Sequence, residues 1–249
     1  PYINISLMEY YQKQGDLDKA FEEFILSIKN KNLDYNTKAQ IYEYWFAEKD
    51  GDEETTVKEA KAAGEAFIET HPDKELGYYV IGTVYFNDEN YDKAQEYYLE
   101  SIAKDSTNFI TWYQLVFTDV ELNDAEVLHK HTSDALRYYP EQPIFYYFNG
   151  LSLIDKKKYE EAVKVLEKGR FMSADKKLTA NFDTYIADIY HELGNKEMMY
   201  KQYDRVLRND PENIYVLNNY AYFLSLDNER LDEALKMSAQ TIEKEPKNV

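Results

Sequence analysis

Cysteine is absent from the 249 residues, which excludes disulfides, thiolate metal sites and cysteine nucleophiles. Glycine occurs 8 times and proline 6 times. So few chain breakers imply long regular elements, and plentiful Ala, Glu, Lys and Leu make helix the expected element. Basic residues are in deficit: 29 Lys+Arg stand against 47 Asp+Glu, a formal charge of −18. Phosphate backbones and anionic membranes are gripped by clustered cations, so neither is an expected partner. No apolar run approaches the roughly 18 residues of a membrane span, so direct membrane insertion is not expected. No signal peptide is visible, and the chain opens with Pro1 rather than Met. We therefore expect the native N-terminus, with any targeting segment, to have been removed. The compartment, cytoplasmic or exported, stays open.

Catalytic constellations are missing too. The four histidines are His71, His129, His131 and His191. His129 and His131 stand two apart on an expected helix and point to different sides. His191-Glu192 lacks the second histidine of a zinc-binding helix motif. No glycine-rich loop is present to cradle phosphate. The acidic stretch Glu48–Thr56, EKDGDEETT, lacks the alternating ligands, central glycine and later glutamate of a calcium loop. It reads as a solvated turn whose acids favour the next helix start. No metal, no cofactor and no catalytic residue is expected.

What is present begins with tyrosine, at 25 copies, and a hydrophobic fraction of 44%. That fraction can build a packed core. Tyrosine, apolar in body and polar at its tip, suits half-buried and binding surfaces. Charge is uneven: residues 1–124 carry 11 basic against 26 acidic side chains, and residues 125–249 carry 18 against 21. Such a balance serves solubility, and it also allows the two halves to face different partners.

The stretch Tyr10–Ser27, YYQKQGDLDKAFEEFILS, stops one helical run at Gly15-Asp16 and starts another at once. Tyr78–Ser101, YYVIGTVYFNDENYDKAQEYYLES, repeats the arrangement with Gly82, Tyr85, Ala94 and Tyr98. Further copies carry Gly150, Ala162 and Leu166; Ala187, Gly194-Asn195 and Met199; and Ala221 and Ala234. The early positions of the second helices are Ala20, Ala60, Ala94, Leu128, Ala162, Met199 and Ala234, spaced 40, 34, 34, 34, 37 and 35 apart. Pro72, Pro140, Pro211 and Pro246 each follow such a position by 12 residues, where proline ends a helix. Small residues in the first helix (Gly82, Gly150, Ala187, Ala221) are expected to face those in the second (Ala20, Ala94, Ala162). That pairing would let two backbones approach closely.

A 34-residue helix–turn–helix with these residues at fixed offsets resembles the tetratricopeptide repeat, over essentially the whole chain. The resemblance implies an all-α fold: an α-α superhelix, a right-handed solenoid of antiparallel helix hairpins. One solenoid is expected over 1–249, with repeats at about 1–34, 35–74, 75–108, 109–142, 143–179, 180–213 and 214–249. It also implies a protein or peptide partner lying in a groove lined by the first helices. The residues placed there are Tyr79, Phe86, Tyr113, Phe117, Tyr147 and Leu151, then Thr184, Asp188, Asn218 and Tyr222. Packing between repeats would use the same aromatics. Members that clamp chaperone carboxylates use Lys, Arg and Asn on these faces. Here the places hold Ile5, Tyr79, Tyr113, Tyr147 and Thr184, or Ser6, Val80, Gln114, Phe148 and Tyr185, so a basic clamp is lacking.

The expected function is a non-enzymatic interaction scaffold or adaptor. The alternatives are a structural protein that self-assembles weakly through an open solenoid end near Pro246–Val249, and a regulatory domain of a larger protein.

Overall fold

The computed structural model describes residues 2–47 and 53–244. The described residues form fourteen α-helices and no strand. In order they are α1 Ile3–Gln14, α2 Leu17–Lys29, α3 Tyr35–Ala47, α4 Glu53–Thr70, α5 Leu76–Asn87, α6 Tyr91–Lys104 and α7 Phe109–Leu122. Then come α8 Ala125–Tyr138, α9 Pro143–Asp155, α10 Tyr159–Met172, α11 Lys176–Glu192, α12 Lys196–Asn209, α13 Ile214–Leu226 and α14 Leu231–Lys244. Most of the Glu48–Thr56 stretch, and Pro246, lie outside the described residues. The break expected near residue 180 falls inside α11. Asp175 caps that helix by accepting the Leu178 N–H at 2.7 Å, so α11 begins about one turn before the expected boundary.

The elbows share one device. Among the described elbows, one residue turns left-handed at each of five, Gly15, Glu89, Asn123, Lys157 and Gly194, and two, Asn228 and Arg230, do so at the last. At the first elbow Gly15 N–H donates to the Gln12 carbonyl and Asp16 N–H to the Tyr11 carbonyl, which terminates α1. The Asp16 carboxylate then accepts the Lys19 N–H and opens α2. Asn90 and Asn195 cap α6 and α12 in the same way. One residue thus closes a helix and the next opens its partner.

The chain divides into two compact units, 1–124 and 125–249, at the Asn123-Asp124 turn. The boundary coincides with the change in charge balance. In the first unit the core runs through Met8, Ala20, Phe24, Ile28, Trp45 and Phe67. Phe24 stacks on Trp45 with centroids 4.9 Å apart. In the second unit one cluster holds Tyr146, Ala162, Leu166, Phe182 and Ile186. Another holds Met199, Tyr203, Val206, Val216, Tyr220 and Leu224.

The close approach of the helices takes a different register from the one expected. A Cβ built at Gly82 would lie 2.8 Å from the Tyr98 ring, and one at Gly150 would lie 2.2 Å from Leu166. These are not Ala94 and Ala162 but the large residues four positions on, one helical turn away. The fully buried alanines let the backbones approach, and the large side chain then lies across the glycine. Gly169 on α10 is tighter still, with Tyr146 Cβ of α9 at 2.5 Å and the Phe182 ring of α11 at 2.7 Å from its would-be Cβ. Three helices therefore meet at one hydrogen atom.

A second recurring contact ties three of the hairpins to the loop before them. The Tyr78 hydroxyl donates to the Pro72 carbonyl at 3.1 Å, Trp112 Nε1–H to the Ser106 carbonyl at 2.9 Å, and the Tyr146 hydroxyl to the Pro140 carbonyl at 2.8 Å. The equivalent position of the sixth repeat holds Asp183. Its fully buried carboxylate accepts from Arg170 of α10 and Arg205 of α12 through Oδ1. An ionic tie thus stands where its counterparts use an aromatic clasp.

Gly169→Ala is expected to lower stability by about 1–3 kcal/mol, since Tyr146 Cβ cannot swing away. Ala94→Leu and Ala162→Leu should do the same at sites that are 0% exposed. Thermal melts would check this, and an unchanged Tm for all three would mean the helices do not pack at this distance.

Candidate functional site

In the second unit, α9, α11 and α13 present their side chains to one face. Tyr147 of α9 meets Tyr185 of α11 with centroids 5.7 Å apart and planes at 71°. It also stands edge-on to buried Phe182 at 5.6 Å. Across α11, Asp188 collects two phenols. Its Oδ1 accepts from Tyr203 of α12 at 3.1 Å and its Oδ2 from Tyr215 of α13 at 2.9 Å. One carboxylate therefore joins three helices.

Two hollows open beside it and share Tyr185, Asp188 and Tyr215. The smaller, about 250 Å³, is completed by Tyr147, Asn181, Thr184 and Asn213. The larger, about 640 Å³, adds Ile154, Tyr159, Ile189, Tyr222 and Phe223, with Lys157, His191, Glu192 and Asn219 around them. Burial pushes the Asp188 carboxyl above the usual carboxylate range, and its two phenol donors pull partly against that rise. Burial and the neighbouring Asp188 push the Tyr215 phenol up to about 12, so it stays protonated and donates at neutral pH.

Of the ten residues placed in the groove from sequence, Tyr147, Thr184, Asp188 and Tyr222 line these hollows. Leu151 and Asn218 line neither. Tyr79, Phe86, Tyr113 and Phe117 belong to the first unit. All four are half-buried and lie against other aromatics: Tyr79 near Tyr98 at 6.0 Å, Phe86 edge-on to Tyr91 at 5.5 Å, Tyr113 on Phe117 at 4.6 Å. Sequence reasoning missed Tyr215 and Asn213, which stand at the start of α13 rather than on its middle turns. Tyr185, one of the clamp-equivalent places, also lines both hollows. The period-34 register does point to it, one residue past Thr184.

A family model for the tetratricopeptide repeat matches residues 77–108 and 186–213. The first stretch is the α5–α6 hairpin; the second runs from the middle of α11 past the end of α12. These two stretches are tetratricopeptide repeats. The TPR repeat-containing protein MJ1428 of Methanocaldococcus jannaschii is 28% identical over 137 residues, 55% of this chain and 21% of that protein. The chain thus spans about a fifth of the length of that relative. Among solved structures, pilF of Pseudomonas aeruginosa matches with a TM-score of 0.60 at 17% identity, covering 93% of this chain and 94% of that one. YrrB, described as a TPR protein with an unusual peptide-binding site, matches at 0.60 and 18% identity, covering 75% of this chain and 94% of that one. At these identities the structural likeness speaks for the fold. The tetratricopeptide repeat also accounts for the paired helices and the small residues at their crossings.

The raised Asp188 pKa carries a signed prediction. The folded state holds this proton more tightly than the unfolded chain, so the contribution to stability is complete below the unfolded carboxyl pKa. It is lost as pH rises through the folded value. The Tm of the wild type minus that of Asp188→Asn should therefore fall as pH climbs through the carboxyl range. Paired melts in a pH series measure it, and a difference that grows with pH would contradict the burial argument.

Proposed function

We propose that this protein is a non-enzymatic scaffold that holds an extended or helical segment of a partner protein on the α9–α11–α13 face. The observation that carries this reading is the pair of adjoining hollows sharing Tyr185, Asp188 and Tyr215. At about 250 and 640 Å³ they have room for more than one side chain. Their walls combine tyrosine rings, which offer area at small entropic cost, with asparagine and phenol groups that can meet a peptide backbone. The peptide-binding site named for YrrB belongs to a protein of the same fold and supports the reading by analogy. The formal charge of −18 argues against nucleic acid, and among the described residues no helix is long and apolar enough to cross a membrane.

Tyr215 and Tyr222 are 52% and 57% exposed, so truncating them costs little packing. Tyr147 is a poorer probe because its ring also packs on Phe182. A double Tyr215→Ala, Tyr222→Ala variant should lose at least tenfold in partner affinity, about 1.4 kcal/mol or more, while its Tm falls no further than that of Tyr215→Phe, which lacks only the hydrogen bond to Asp188. Tyr79→Ala with Tyr113→Ala in the first unit is the comparison. Pull-downs and titrations with the captured partner read both, and loss confined to the Tyr79/Tyr113 pair would move the site to the first unit.

A second reading has its own observation. Helix α14 exposes Leu231, Leu235 and Ile242 at 50%, 71% and 49%, an apolar face suited to stacking another hairpin. Self-association through that face would raise the light-scattering mass with concentration, and Leu235→Lys with Ile242→Lys would abolish the rise. A constant monomer mass in the wild type removes this reading.

A further inference from the structure

We infer that the smaller hollow is a receptor for an arginine side chain of the bound segment, with the larger hollow taking an apolar neighbour of that arginine. This rests on the proposed docking role of the same face and specifies its partner.

The smaller hollow has walls of one charge type. Asp188 is its ionisable carboxylate, Tyr147, Tyr185 and Tyr215 supply rings, and Asn181 and Asn213 supply amides; no Lys or Arg lines it. Arg170 of α10 and Arg205 of α12 are already held by Asp183. A carboxylate offers about four acceptor sites, and the Tyr203 and Tyr215 hydroxyls take one on each oxygen. One site per oxygen therefore remains. That arrangement matches the two parallel N–H groups of a guanidinium and not the single point charge of an ammonium. Tyr147 and Tyr185, set at 71°, give two walls at a steep angle where a planar cation can lie over one ring. A cation here also relieves the cost of a carboxylate withdrawn from water. Carboxylate-ended ligands meet their own sign of charge at Asp188 and are rejected.

The adjoining hollow is mainly carbon, through Ile154, Ile189, Tyr222 and Phe223. Because Tyr185, Asp188 and Tyr215 line both hollows, the two side chains come from nearby positions of one segment. The occupant is thus a protein segment pairing arginine with a leucine-like or aromatic residue.

A displayed library of random dodecapeptides selected on the full chain tests this. The expected result is enrichment of arginine at one position with an apolar residue nearby, lost when the selection is repeated on Asp188→Asn. A synthetic peptide from that pool should weaken about tenfold or more when arginine is replaced by the neutral isostere citrulline, and also on Tyr185→Ala. Circular dichroism melts on each variant separate lost binding from lost folding. Selected peptides that bind on this face, as shown by loss on Tyr222→Ala, yet carry no arginine would overturn the cation receptor and leave the docking role standing. Equal affinity for the lysine and arginine peptides overturns the arginine assignment. Peptides unaffected by every change on this face overturn both.

Discussion

Each hairpin depends on two helix backbones coming closer than ordinary side chains permit. Fully buried Ala20, Ala94 and Ala162, with Gly82, Gly150 and Gly169, supply that closeness. Once the backbones are near, a large side chain can lie across the glycine, as Tyr98 and Leu166 do, and fill the volume that the missing Cβ leaves. Gly169 extends the same constraint from within a hairpin to the next one, because it touches both Tyr146 and Phe182. A chain with only 8 glycines places most of them where helices cross or where a left-handed elbow is needed.

The interactions between neighbouring hairpins are more varied than the period suggests. In three hairpins an aromatic donor reaches back six residues to a loop carbonyl, twice that of a proline. Proline has no N–H, but its carbonyl is a full acceptor, so a residue that stops one helix also anchors the next. The sixth repeat abandons this clasp for a buried carboxylate between two arginines. A buried ion pair of this kind is weak as a source of stability and strong as a constraint on geometry, since each partner stranded alone is costly. It fixes α10, α11 and α12 directly behind the face that carries the hollows.

The period of 34, the elbows and the small residues were legible in the sequence because each is local. A left-handed glycine or asparagine and a helix-capping side chain announce themselves within four residues. The facing partners were not legible. Gly82 opposes Tyr98 rather than Ala94 because antiparallel helices offset their contacts by a turn, and only coordinates report that offset. The first turn of α11 was hidden for another reason: Lys176–Thr179 has no echo in the other repeats, and the Asp175 cap decides it. The site was half legible. Helical register placed Tyr147, Thr184, Asp188 and Tyr222 on the inner face, but not Tyr215, whose hydroxyl acts by reaching from the start of α13 to Asp188 on another helix. A half-buried aromatic can pack, bind or do both. Tyr147 shows why the sequence alone could not choose, since one side of its ring meets Phe182 and the residue also lines a hollow.

Asp188 joins these two levels. Its carboxylate ties α11 to α12 and α13 through Tyr203 and Tyr215, and the same residue borders both hollows. Desolvation works against its charge, and the phenols compensate only in part. A repeat array is stabilised chiefly by contacts between neighbours, so the contact that Asp188 mediates is one term in that sum. Any ligand that supplies further donors to this carboxylate acts on the same term, and it stabilises the folded array with the logarithm of the ratio of its concentration to its dissociation constant. Binding on this face and cohesion between the sixth and seventh repeats are therefore linked through one side chain. The linkage follows from the position of a single carboxylate at the junction of three helices, whichever segment occupies the hollows.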